Sequence, residues 1–285
     1  MDEAIARFLS YLQVRLGRTG NTVLAYRADL RQFHQAVAEG LGKGAAPDGL
    51  TAEAVAIYLT WLTSRGYRPA TLSRKMAAVR AFLEYLREVE GVGGASLADG
   101  LHPPPAPRHR PRLLAQEEIA RLLESSAAVA TPRGMRDAAV LAILYATGMR
   151  AADAVGLQLS DIDLDRGQVW RPPHRQQPLP LGEAAAPVRR YLEQGRPQLV
   201  RNPEVRSVFL NQRGQELSRQ GLWLVVKRWA EAAGLGDDVS PHSLRHALAQ
   251  HLLIQGKSRR EVQQFLGLRS PNAIRSADKD ESHGE

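Results

Sequence analysis

Two short segments carry side chains suited to handling an oxyanion. The first reads Ala146-Thr147-Gly148-Met149-Arg150 and continues through Asp153, Leu157 and Asp161. An arginine directly behind a glycine turn, at the start of a helix, can aim its fork at an anion beside backbone N–H groups that the helix leaves unpaired. The second reads Ser240-Pro241-His242-Ser243-Leu244-Arg245-His246. In the first turn of a helix, His242 and Arg245 share one face. An imidazole beside a guanidinium, at the positive end of a helix, suits a phosphate whose charge grows in a transition state. The arginine neutralises charge and the histidine passes a proton. Each segment also has a plainer reading: Arg150 as a surface residue, and His242 as a helix cap with Arg245 in solvent.

Helices must position these segments. Within residues 1–90, Ile5, Phe8, Leu9, Leu12 and Leu16 recur at helical spacing until Gly17 and Gly20 stop the run. Tyr26, Leu30, Phe33 and Val37 make a second stripe. Val55, Tyr58, Leu59 and Leu62 make a third, with Thr51 as its N-cap and Gly66 as its stop. Leu72, Met76, Val79, Leu83 and Leu86 make a fourth, entered through Pro69. Four such helices form a bundle. Arg65, Arg68, Arg74 and Lys75 cluster at its third turn and the start of the fourth helix, as a solvated face or as a DNA-contacting one.

Residues 91–111 hold four Gly and five Pro and end in Arg108, His109 and Arg110. Such a stretch favours extended geometry and reads as an interdomain linker whose basic end, Arg108 and Arg110, can follow a phosphate backbone. The second half, residues 112–274, reads as mostly helical: near 116–125, 137–145, after Arg150, and at 218–233, 242–255 and 258–266. Short strands are expected at 168–170, 179–181 and 207–210, irregular or at an edge because of Pro172, Pro173, Pro178 and Pro180. A polar tail, 275–285, follows. The expected fold class is mainly α, with a small β-sheet in the second domain.

The composition narrows the function. The chain has 285 residues, 38 Lys+Arg against 30 Asp+Glu, and no Cys, which removes disulfides, thiol nucleophiles and cysteine-bound metals. The apolar run 138–146 is well short of the ~20 residues that span a membrane. Asp2 and Glu3 do not read as a secretory leader, so a cytoplasmic location is expected. A net charge of +8, carried by 33 Arg and five Lys, suggests a polyanionic partner. No phosphate-binding glycine loop, dinucleotide fingerprint or metal-ligand cluster is present.

Taken together, Thr147-Gly148-Met149-Arg150 and Pro241-His242-x-x-Arg245-His246 resemble the tyrosine recombinase (phage integrase) family, its Xer-type members most closely. The likeness continues through Asn21-Thr22, Tyr26, Asp29-Leu30 and Phe33, then residues 55–59, Gly66, Thr71, Arg74, Val79-Arg80 and residues 82–85. Residues 111–123 are similar to the start of the family's catalytic domain, and 262–267 to the helix before its final motifs. The resemblance implies a SAM-like core-binding domain at 1–90, a catalytic-type domain at 112–274, and double-stranded DNA as partner, bound as a homo- or hetero-oligomer of recombinase subunits. It implies strand cleavage through a 3′-phosphotyrosyl intermediate with no metal or nucleotide cofactor, because the covalent link keeps the bond energy. Arg150 matches the family's first Arg, His242 its box His and Arg245 its second Arg.

Other positions depart from the pattern. No Lys occurs between Lys75 and Lys227, and His174 or Arg175 stands where the family carries a hairpin Lys. His174 can act as an acid when protonated, whereas Arg175 is a poor proton donor; both also read as plain turn residues. Leu268 follows Leu266-Gly267 where the family has a late His. Ala277 stands where the nucleophilic Tyr is expected, and the seven Tyr are Tyr11, Tyr26, Tyr58, Tyr67, Tyr85, Tyr145 and Tyr191. Ser276 is adjacent, but its hydroxyl would need a dedicated base. The expectation is therefore a recombinase-type DNA-binding protein with an incomplete active site, or a non-catalytic accessory or modulator of an active recombinase.

Overall fold

The first helix shows how the bundle is cut to length. Helix α1 (Asp2–Val14) buries Ala4, Ile5, Phe8, Leu9 and Leu12, then ends, so Leu16 falls outside it and is exposed, contrary to the apolar stripe. Helix α2 (Gly20–Leu41) buries Leu30, Phe33 and Val37 against α3 (Ala52–Ser64) and α4 (Pro69–Glu88). The Thr51 hydroxyl accepts from Ala54 N at 3.3 Å, capping α3 as expected. Gly66, at φ +61°, ends that turn, and Pro69 opens α4. Phe8, Phe82 and Tyr85 pack as tilted rings, and Phe33 meets Tyr58 edge-on. The core is closed by Leu101, fully buried, so chain assigned to the linker contributes to it.

The computed structural model describes residues 1–18, 20–42, 46–92, 97–101, 113–172 and 177–268. It divides into two compact units, Met1–His109 and Arg110–Glu285. The second unit is built around α6 (Pro132–Thr147), buried at every residue from Gly134 to Leu144. Gly134 and the alanines on this helix allow close approach; a Cβ on Gly134 would lie 2.4 Å from Val129 O. Helix α6 packs against α5 (Gln116–Ala127), α8 (Ala185–Arg190), α10 (Arg219–Ala232) and α11 (Pro241–Ile254). Its charged pair is satisfied internally. Asp137 accepts from Arg136 at 2.7 Å, from Trp229 Nε1 at 3.1 Å and from Arg228, while Arg136 also donates to Leu210 O at 3.0 Å.

After the short α7 (Ala151–Val155), three strands, β1 (Ile162–Asp163), β2 (Gln168–Trp170) and β3 (Pro178–Pro180), form an antiparallel sheet in chain order. Val169 lies opposite both Ile162 and Leu179. The expected strand at 207–210 is absent. Only single bridges form there, Gln158 with Ser207 and Leu210 with Glu216. Side chains hold this segment instead: Tyr191 Oη donates to Val208 O at 3.1 Å, and Arg196 Nη2 to Val205 O and Ser207 O at 2.7 and 2.9 Å. Both residues come from a helical stretch the sequence pattern did not reveal, α8 running through a π-turn into α9 (Arg196–Leu199). Helix α12 (Arg259–Leu266) packs on α11 through Val262, Leu266 and Leu248. No helix among the described residues is long and apolar enough to cross a membrane.

Candidate functional site

The site begins where α6 ends. Thr147 is buried; its hydroxyl donates to Ile143 O at 2.6 Å and accepts from Met149 N at 3.2 Å, tying the turn to the helix behind it. Gly148 takes φ +57°, and a Cβ there would lie 2.4 Å from Leu266 Cδ2 and 3.0 Å from Leu248 Cδ2. Only glycine meets both demands. Met149 then anchors the chain in the core, and Arg150 leaves as the exposed N-cap residue of α7. Its backbone N donates to Asp153 Oδ2 at 3.4 Å.

Helix α11 brings the second segment to this turn. Ser240 caps it by accepting from Ser243 N at 3.2 Å, and Pro241 opens it. That places His242 exposed in the first turn and Arg245 on the inward face, 7% exposed. The Arg245 guanidinium is nearly, but not fully, buried. It donates to Gly148 O and, at 2.7 Å, to Leu266 O. Burial, then the like charges of Arg150 and Arg171, push its pKa down to about 10 against the pull of Asp153, so it stays cationic at neutral pH. His246 lies half-buried one residue on, with Nδ1 unpaired; burial, and then His242, lower its pKa.

A third guanidinium, which sequence spacing did not reveal, belongs to Arg171 at the end of β2. Its Nη2 donates to Phe265 O at 3.1 Å and Thr147 O at 3.4 Å, and its buried Nε has no partner. Burial lowers its pKa first, Asp153 opposes this, and Arg150 lowers it further. Gly267, at φ +64°, ends α12 beside it; a Cβ there would lie 2.7 Å from Arg171 Nη1. Asp153 thus acts electrostatically on both Arg245 and Arg171, and the charge of Arg150 bears on each of them. Such a cluster can hold an oxyanion. Among the described residues, no group of three or more His, Cys, Asp or Glu could hold a metal.

The remaining residues singled out by sequence are dispersed. Arg65 and Arg68 are exposed on the first unit, Arg65 lying 4.7 Å above the Trp61 ring. Arg74 is exposed but paired with Asp29. Lys75 differs from these three: it is 4% exposed, and its ammonium is engaged by Asp29 at 3.0 Å and by Gln32, under the Tyr67 ring. Its charge therefore faces the core rather than solvent. His174, Arg175, Arg108, Arg110, Ser276 and Ala277 lie outside the described residues. Leu268 continues the apolar face shared by α11 and α12.

A helical bundle is followed by a helical unit with a small sheet, and that second unit carries arginines gathered at helix ends. The profile of the phage integrase N-terminal SAM-like domain matches residues 5–89, and that of the phage integrase family matches residues 112–276. The chain is 38% identical over 273 residues to a tyrosine recombinase XerC of Herpetosiphon aurantiacus, covering 94% of this chain and 87% of that one. It is 36% identical to a tyrosine recombinase XerD of Listeria monocytogenes, covering 94% and 90%. In fold it is similar to a lambda integrase dimer bound to a COC′ core site, with a TM-score of 0.69 at 18% identity over 99% of this chain and 97% of that one. It is also similar to the XerH recombinase bound to difH, with a TM-score of 0.66 at 21% identity over 89% and 74%. The chain belongs to the tyrosine recombinase (phage integrase) family and is related to its XerC- and XerD-type members.

Proposed function

We propose that this chain binds duplex DNA at a recombination site and grips one backbone phosphate with Arg150, His242 and Arg245. The observation that carries this reading is the turn at Gly148, which launches Arg150 outward while its carbonyl holds the buried Arg245. His242 stands exposed in the first turn of the same helix as Arg245, where helix N–H groups also favour an anion. In the family's chemistry a tyrosine oxygen bonds to phosphorus as the bond from phosphorus to the 5′ oxygen breaks. Charge that builds on the non-bridging oxygens meets the two guanidiniums. Exposed Arg65, Arg68 and Arg74, and the basic end of the proline-rich segment at Arg108 and Arg110, contact further phosphates. Lys75 acts through Asp29 by holding the carboxylate that orients Arg74.

We read the attacking tyrosine as coming from elsewhere, because Ala277 stands at the position where the family pattern places it. Residues 192–285 hold no Tyr, Leu268 stands at the late-His position, and residues 76–226 hold no Lys. We read the chain as a site-binding subunit that orients a phosphate for a hydroxyl donated by another recombinase subunit. The second reading, favoured by the same three departures, is a non-catalytic accessory factor that occupies sites or forms mixed complexes with an active recombinase. Incubation with nicked duplexes selected from a random pool on the immobilised protein separates these. A retarded band on a native gel and no covalent adduct on a denaturing gel is expected for the chain alone. An adduct should appear in cleavage reactions supplemented with an active Xer-type partner, and its absence there favours the accessory reading. An adduct from the chain alone overturns the assignment of an incomplete site.

A further inference from the structure

Arg171 is not among the residues that the sequence singled out, yet it lies against the same helix ends as Arg245. The C-terminal ends of α6 and α12 meet there, and two guanidiniums lie across them. Arg245 donates to Gly148 O and Leu266 O; Arg171 donates to Thr147 O and Phe265 O, one residue earlier in each pair. Helix C-termini carry the negative end of the peptide dipoles, so their carbonyls can hold cations without a carboxylate on either one. That arrangement keeps both arginines charged but does not balance them. Arg150 adds a third positive charge, and the carboxylate acting on the cluster is Asp153.

Two further observations point to an unfilled partner. The Arg171 Nε is buried with nothing to donate to. Gly267, at φ +64°, leaves bare backbone beside Arg171 Nη1; a Cβ there would lie 2.7 Å from it, so a side chain would displace the guanidinium. Arg171 arrives from the sheet at the same helix end.

We propose that Arg171 is a positioning residue of the oxyanion site: it braces the helix ends that hold Arg245 and leaves the site with more positive charge than Asp153 balances, so that a phosphate group is the missing counter-ion. This rests on the DNA-binding reading for its natural ligand, but its test does not. Inorganic phosphate is the probe, used on the full chain and compared with chloride at matched ionic strength. Phosphate should raise the unfolding temperature of the unsubstituted protein. Arg171→Gln should lose more than half of that increment, and Arg171→Lys, which keeps the charge but lacks the planar fork and its Nε donor, should recover part of it. Where Arg171→Gln does not fold, Arg171→Lys must still show a reduced increment.

On a fluorescent duplex, Arg171→Gln should weaken binding about tenfold at low salt and flatten the dependence of log Kd on log salt by about one contact. A merely structural brace would lower the unfolding temperature in both variants yet leave the phosphate increment and salt slope unchanged, and that result overturns the proposal. So does an unsubstituted protein that phosphate does not stabilise. A phosphate increment that depends on Arg171, in a protein that does not bind the duplex, would retain this proposal and remove the DNA-binding one.

Discussion

A buried arginine usually rests on a carboxylate, whereas Arg245 rests on two carbonyls at helix ends. Removing it therefore strands acceptors rather than a charge. Arg245→Met should cost about 2–4 kcal/mol by leaving Gly148 O and Leu266 O unpaired, readable as a lower urea midpoint, together with loss of DNA retention. Gly148→Ala must strain a left-handed backbone and push Leu266 away, and should cost more than about 2 kcal/mol in the same assay. His246 gives a pH signature. Its folded-state pKa lies below the ordinary 6.5, so as pH falls through 6.5 the unfolded chain takes the proton first. Stability should decline from pH 6.5 downward until the folded-state pKa is reached, and His246→Gln should lose that part of the pH slope in unfolding titrations. Arg150, His242 and Arg245 were legible because a glycine turn and a histidine three residues ahead of an arginine are local patterns. Arg171 was not, since its partner Phe265 lies 94 residues away and no local spacing encodes that contact.

Among the elements, α6 bears the greatest constraint, being buried from Gly134 to Leu144 while burying two charges, Arg136 and Asp137. Asp137→Ala would leave Arg136 with an uncompensated buried charge and should cost about 3–5 kcal/mol. Arg228→Ala should cost under about 1 kcal/mol, since the Arg228 side chain is 53% exposed and Asp137 keeps Arg136 and Trp229. Urea unfolding of the two variants side by side checks the contrast. Most helices could be read from the sequence because apolar spacing, threonine and serine caps and stopping glycines agreed. Two elements escaped for opposite reasons. Pro187, Gly195 and Pro197 interrupt the pattern of α8 and α9, yet a π-turn absorbs the interruption. Ser207–Leu210 has the composition of a strand, but its backbone is held by Tyr191 and Arg196 rather than by a neighbouring strand.

For the whole molecule, the excess of positive charge is only partly available to a ligand. Asp29 engages Arg74 and Lys75, and helix carbonyls hold Arg171 and Arg245, so the net +8 overstates the freely presented charge. Binding to a mixed-sequence duplex should still fall steeply with salt, each phosphate contact lowering the slope of log affinity against log salt by about 0.9. Fluorescence anisotropy across a salt series measures it, and a flat response would remove the DNA-binding reading. The division into two units was visible in the proline- and glycine-rich stretch, but its inner limit was not, because burial of Leu101 in the first core depends on packing that composition does not report. The outermost strand has a consequence for how copies of this chain can join. Leu181 N turns inward to Gly167 O at 2.8 Å, so the alternate residues of β3, Pro178 and Pro180, occupy the positions whose amides would point away from the sheet. Proline has no such hydrogen to offer. The β3 edge of the sheet therefore offers no outward amide at either position to recruit another strand, which disfavours edge-to-edge pairing of copies along it.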